Sequence, residues 1–176
     1  MNYSSKPTDE VSQFDCRCFV DSRGSFLKVF DAALPQLRGF CPQQVNHVRT
    51  ADKHTLRGLH YQIGDFAEAK FFRVLSGAIQ LAWVDLRKVD EEFRPLCGTA
   101  VLDKPETGIL VPRGFATGYL TLEPNSEVLY LSDNAYTPEY ECGLHWNDPR
   151  LGLNWLSRTP TVSDKDAAWP LLVLSC

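Results

Sequence analysis

Much that would place this chain at a glance is missing from it. No apolar run comes near the roughly 18 residues that cross a membrane as a helix, and the opening "MNYSSKPTDE" is polar, without the hydrophobic stretch of a signal peptide. No block of Lys and Arg occurs and the formal net charge is −4, which argues against a nucleic-acid surface. It leaves room for one local basic pocket that takes a small anion. The six cysteines, at 16, 18, 41, 97, 142 and 176, include no C-x-x-C, and Cys16-Arg-Cys18 is the only tight pair. Without a secretion signal they read as reduced thiols of a cytoplasmic protein. Histidine is scarce too. His47, His54, His60 and His145 form no His-x-His or His-x₃-His pair, while a metal needs three or four ligands.

What is present reads as one β-rich domain over residues 1–176. The composition is 44% hydrophobic and 23% charged, enough for a sizeable core and unlike a disordered chain. Short runs rich in Val, Leu, Phe, Tyr and Thr recur: "CRCFVD", "SFLKVF", "KFFRVLSG", "AIQLAWVDLR", "TAVLD", "TGILVP", "GYLTLE" and "EVLYLSD". Gly, Pro, Asn or Asp separates most of them, and "SGAIQ" and "EPNSE" read as hairpin turns. The one helical candidate, "FDAALPQL", is kept short by Pro35. The spacing predicts an all-β antiparallel sandwich or barrel. From about Asn147 the chain reads as an ordered tail wrapped on it, because Trp146, Trp155 and Trp169 need a surface to bury against.

The stretch "RGLHYQ", Arg57 to Gln62, poses the functional question. His60 reads as a metal ligand, a general base or a packed core histidine. Position 62 is Gln, not a second His, which weakens the first reading. A base needs an orienting acceptor, an acid on the other side of the substrate, and a cation for any developing oxyanion. Asp166 in "SDKDA", Tyr130 in "VLYLSD" and Lys70 in "EAKFFRV" are candidates for these parts. Spacing alone does not bring them together, so base and packed histidine both stand.

The motifs "DSRGSF", "RGLHYQ", "AKFFRV", "VDLRK", "VPRGFATGYL", "EVLYLSDNAY", "HWNDPRLGLNW" and "SDKDA" come in an order that resembles the RmlC family, the dTDP-4-dehydrorhamnose 3,5-epimerases, from about Phe14 to Pro170. The resemblance implies a cupin-like jelly roll with a few short helices. It also implies a homodimer that needs neither metal nor organic cofactor. Its substrate would be a nucleotide-diphospho-4-keto-6-deoxy sugar. His60 matches the general base, Asp166 its orienting carboxylate, Tyr130 the acid on the opposite sugar face, and Lys70 the cation at the keto oxygen. Arg23 and Arg57 match arginines for the diphosphate, and Lys165 another ligand-contacting lysine. Gln44, Asn46 and Glu141 match polar residues near the nucleotide, and Tyr136 the tyrosine that stacks on the base.

Four departures from the family pattern stand out. Thr117 replaces an active-site histidine, Leu81 an aspartate, Lys28 a glutamate near the nucleotide, and Cys142 an arginine. A hydroxyl at 117 still donates a hydrogen bond but cannot shuttle protons near neutral pH. Losing the histidine and the aspartate together points to one coupled change, with inversion at C3 alone as its consequence. Lys28 raises a CDP-linked sugar as the alternative to a dTDP-linked one. A catalytically impaired homologue that only binds nucleotide sugar is the remaining alternative, as is, in the same superfamily, a 3,4-ketoisomerase, which the single well-placed histidine disfavours.

Overall fold

A computed structural model describes residues 9–87 and 95–172. Cys176, and Lys88 at the end of "VDLRK", lie outside them. Five strands make one sheet in the order β1 (Ser12–Asp15), β9 (Thr107–Val111), β6 (Lys70–Ser76), β11 (Ser126–Ser132), β4 (Gln44–Thr50). A second sheet runs β12 (Glu141–Gly143), β5 (Thr55–Gln62), β10 (Phe115–Thr121), β7 (Ile79–Asp85), β8 (Cys97–Leu102), with β13 (Thr161–Val162) also on β5. All pairings are antiparallel except β13 on β5. β2 (Cys18–Asp21) and β3 (Gly24–Leu27) form a separate two-stranded hairpin. One four-residue helix, α1 (Asp164–Ala167), is capped by Ser163, whose Oγ accepts from the Asp166 N–H.

The strand residues explain why the two sheets stack. Phe72, Val74, Ile109 and Val128 from the first pack against Ile79, Leu81, Leu102, Phe115 and Tyr119 from the second. This is a cupin-like jelly roll, with a core of alternating inward side chains. The outer faces are also covered. Leu37 and Phe40 lie with Phe71, Leu110 and Leu131 over the first sheet, and Leu144, Leu151 and Leu172 lie with Leu59, Ala82 and Val84 over the second. Strands dry on both faces lose the alternation of apolar and charged residues, as "TGILV" and "FATGYLT" do: every residue of β9 and β10 is buried and none is charged.

"FDAALPQL" holds only a 3₁₀ turn, Pro35–Leu37. Strand β4 was hidden in the sequence because its half-buried positions are Gln44, Asn46 and Val48, with Val45, His47 and Arg49 outside; the buried-side face is mostly polar, so no apolar period marks it. The five described cysteines are free thiols. Cys16 accepts from buried Arg73 Nη2 at 3.0 Å.

Strand β5 breaks step at the stretch that raised the question. Gly58 has φ +128°, and the β10 pairing shifts between Thr117 and Tyr119. In a regular strand residues three apart face opposite sides. The irregularity here lets Arg57 and His60 line the same cavity. Glycine is required there, because a Cβ would sit 2.5 Å from Gly118 Cα.

Candidate active site

The cavity, about 300 Å³, opens between the two sheets. Its walls come from both: Lys70, Phe72 and Tyr130 from the first, and Arg57, His60, Thr117 and Tyr119 from the second. Ser163, Lys165 and Asp166, at the start of α1, close one side. A smaller lobe of about 90 Å³ shares His60, Lys70 and Tyr130 and continues past Gln44, Glu68, Tyr136 and Glu141.

His60 Nε2 lies 2.6 Å from Asp166 Oδ1, and Asp166 Oδ2 accepts the Gly58 N–H at 3.1 Å. A carboxylate only accepts, so Nε2 carries the proton and Nδ1 is left as the ring's lone-pair atom. Burial pushes the Asp166 carboxyl up, but the bonds from His60 and Gly58 outweigh it and hold it below the usual aspartate range. The imidazole packs edge-on to Trp169, ring centres 6.2 Å apart. Facing it from the other sheet, Tyr130 stacks on Phe72. Burial raises the Tyr130 phenol, the Glu68 charge adds to this, and Arg57 opposes it. Tyr130 is therefore a protonated donor at neutral pH. Lys70 Nζ reaches from the first sheet towards the second, 3.5 Å from the His60 carbonyl, and is paired with Glu68 at 2.8 Å. A lone-pair nitrogen and a phenol on opposite walls, with an ammonium between, can move a proton from one face of a bound carbon to the other.

Sequence comparison places this geometry in a family. The model of the dTDP-4-dehydrorhamnose 3,5-epimerases matches residues 6–173. The enzyme of that name from Escherichia coli K12 is 34% identical over 158 residues, 88% of this chain and 85% of its own length. That from Salmonella typhimurium LT2 is 35% identical, covering 93% and 91%. The chain belongs to this family. Among solved structures, the Bacillus anthracis epimerase with TDP and PPi bound superposes with a TM-score of 0.86 at 34% identity, over 97% of this chain and 98% of the other. A Streptomyces bikiniensis 3'-monoepimerase in complex with dTDP-quinovose does so at 0.81 and 26%, covering 92% and 83%.

The fold brings most of the expected epimerase residues together. Arg57 Nε donates to Thr50 Oγ1 at 3.4 Å, and among the described residues no ion pair claims it. In the smaller lobe, Tyr136 OH and Lys165 Nζ both donate to Glu141 Oε2 at 2.6 Å. Gln44 accepts the Tyr136 N–H at 3.0 Å and donates to Asn46 at 2.9 Å. Thr117 is buried beside His60, with its hydroxyl 3.5 Å from the His60 carbonyl.

Asn46 lines neither lobe and joins the site only through Gln44, while Arg23 and Lys28 stay away altogether. Arg23 is 87% exposed on the β2–β3 hairpin, tied to Asp21 at 2.6 Å. Lys28 is paired with Asp31 at 2.9 Å. Neither lines the cavity within one chain. Leu81 does not line it either. It is fully buried in the inter-sheet core opposite Tyr119, while Thr117 is opposite Trp83. Cys142 pairs with Tyr61 on β5 and lines neither lobe itself. Among the described residues no three His, Cys, Asp or Glu side chains converge as metal ligands.

The sequence reading missed Tyr119 and Glu68. Tyr119 lines the cavity, and its buried hydroxyl makes no hydrogen bond of ordinary geometry although Thr50 lies nearby; burial pushes the phenol up to about 12. Glu68 sits two residues before Lys70 in "EAKFF", where a carboxylate beside a buried-strand lysine was the available signal.

Proposed function

We propose that His60, Lys70 and Tyr130 invert carbons next to the 4-keto group of a dTDP-linked 6-deoxy sugar. The chain is an epimerase of deoxysugar biosynthesis, and the observation that carries the assignment of roles is the 2.6 Å His60–Asp166 pair facing Tyr130 across the cavity. His60 Nδ1 takes the proton from the carbon beside the carbonyl. The C–H electron pair moves into the new C=C bond and the carbonyl pair onto oxygen. Lys70 Nζ stabilises that enolate oxygen. Tyr130 gives a proton to the opposite face as the ketone re-forms, and solvent exchange resets both groups. The carbonyl acidifies the C–H bond, so the step calls for no cofactor.

Arg57 and Lys165 take the diphosphate as charge-assisted donors. Gln44, Asn46, Tyr136 and Glu141 face the nucleoside. The relatives are named for dTDP, and Lys28, which raised CDP, lies outside the cleft of its own chain; thymidine is the favoured base. The convergence of base, acid and lysine favours turnover over a binding-only homologue. Leu81 lies in the core and Thr117 in the cleft, so the two replacements are not one coupled change, and Thr117 alone gives no reason to set C3 apart from C5.

The homodimer belongs to the same proposal. The β2–β3 hairpin exposes Phe19 (47%), Val20 (78%) and Phe26 (62%), and a second copy would cover this face. Arg23 would then reach the partner's cleft. Light scattering that finds a monomer with full turnover sinks this arrangement.

Incubation in D₂O with dTDP- and CDP-4-keto-6-deoxyglucose, followed by proton NMR at H3 and H5, tests the reaction. Exchange of the dTDP sugar at both C3 and C5 is expected. Exchange at C3 alone overturns inversion at both centres. A preference for the CDP sugar overturns the thymidine reading, and no exchange with either sugar overturns the reaction.

A further inference from the structure

Glu68 is an acidic side chain buried inside a site whose ligand is an anion. It precedes β6, is 6% exposed at the side chain, and lines the smaller lobe. A charge costs several kcal/mol to bury unless it is matched, so its partners are informative. Oε1 holds Lys70 Nζ at 2.8 Å, and Oε2 accepts from Gln62 Nε2. Gln62 is itself buried and fixed: its Oε1 accepts the Thr137 N–H at 2.6 Å, while the two N–H of Nε2 are shared among Glu68 Oε2 and the carbonyls of Phe66 and Ala135, at 3.0 and 3.1 Å. The amide orientation is set by the Thr137 N–H, so Gln62 can present only N–H to Glu68. The carboxylate is thus bolted to the frame on one oxygen and grips the lysine with the other.

We propose that Glu68 is a positioning residue: through Gln62 it fixes the Lys70 ammonium in the cavity that His60 and Tyr130 share, and it sets its own negative charge in the lobe that Tyr130 also lines. The proposal rests on the epimerase roles given above to Lys70 and Tyr130. Without the clamp, a lysine has four rotatable bonds and a strongly hydrated head. The enolate oxygen would meet it in many positions, and an error of about 1 Å in such a contact costs on the order of 10²-fold in rate. The second effect has the right sign. The titratable groups that line the two lobes with Tyr130 are Arg57, His60, Tyr61, Glu68, Lys70, Tyr119, Tyr136, Glu141, Lys165 and Asp166. Arg57 favours the phenolate; burial opposes it most, and Glu68 adds to that opposition ahead of Glu141 and Tyr136.

The test compares Glu68→Gln, nearly isosteric and uncharged, with Glu68→Asp, which keeps the charge on a shorter arm. Two readouts are taken on the full chain. One is kcat and KM for the dTDP-4-keto-6-deoxy sugar. The other is the 295 nm tyrosinate titration of each protein minus that of its Tyr130→Phe counterpart, which needs no substrate. Glu68→Gln should lose about 10–100-fold in kcat with KM little changed, and Tyr130 should ionise at lower pH. Glu68→Asp should restore the titration and only part of the rate. Either readout unmoved in Glu68→Gln overturns the proposal. If the wild-type chain itself fails to turn the sugar over, the epimerase roles fall, and the titration alone decides whether Glu68 governs Tyr130.

Discussion

Two Arg-Gly pairs in this chain share a backbone and little else. Gly24 and Gly58 have φ of +129° and +128°, each following an arginine once matched to the diphosphate. A Cβ on Gly24 meets nothing within 4 Å, whereas one on Gly58 strikes Gly118 Cα at 2.5 Å. Arg23 is spent on Asp21 in solvent, and Arg57 stands in a cavity with only Thr50 beside it. The same dipeptide is a hairpin turn in one place and a functional dislocation in a central strand in the other. Surroundings, not local sequence, decide which arginine a single chain can use.

Substitutions sharpen the contrast, beginning with the cleft. Asp166→Asn keeps the shape but removes the carboxylate that fixes the His60 tautomer, and His60→Ala removes the base. Each should lower turnover by about 10²–10⁴-fold in an NMR or coupled assay, against little loss for Asp21→Asn. A His60→Ala protein with near-wild-type exchange would remove the base from the scheme. Next comes the backbone. Gly58→Ala forces both an unfavourable φ and a backbone collision, and should cost about 2–4 kcal/mol in denaturant unfolding. Gly24→Ala carries only the first penalty, about 1 kcal/mol. Equal losses would mean the β5–β10 approach is softer than described.

Ligand affinity separates the arginines. Arg57→Gln should weaken dTDP binding by about 10-fold, the size of one or two charge-assisted hydrogen bonds, read by calorimetry. Arg23→Gln should weaken it only if the hairpin crosses to a partner, so a loss there in a strict monomer breaks the comparison. The smallest effect is on acid stability. The folded Asp166 carboxyl lies below its ordinary 3.8, so its contribution is complete above that value and is lost as pH falls through the folded one. Thermal melting from about pH 6 to pH 3 should therefore fall less steeply for Asp166→Asn than for wild type. Asp21→Asn, whose pair is fully solvated, should leave the slope as it was.

The sequence carried the architecture well where burial is two-sided. β6, β7 and β9 are rich in Val, Leu, Ile and Phe because most of their residues are buried, β10 and β11 carry the shorter apolar stretches "GYL" and "VLYL", and all were legible as strands. β4 was not, since Gln44 and Asn46 line its inner face next to a cleft that needs polar groups. The His60, Lys70, Tyr130 and Asp166 set was legible only through the ordered motifs of the family: 106 residues separate His60 from its carboxylate, and no local pattern spans that. Arg23 and Lys28 mark the opposite limit: their motifs match site residues of the family, while in this chain they lie outside the cleft. Glu68 passed unnoticed because a Glu two residues from a Lys on a strand is ordinary at a surface; only burial makes it chemistry.

The dislocation at Gly58 also sets a measure. Arg57 and His60 stand three residues apart on one rigid strand, a span of no more than about 10 Å at roughly 3.3 Å per residue. Under the proposed roles, phosphate grip and proton abstraction are two marks on a single ruler, and neither can move without the other. A sugar joined through one phosphate instead of two would reach one mark and fall short of the next.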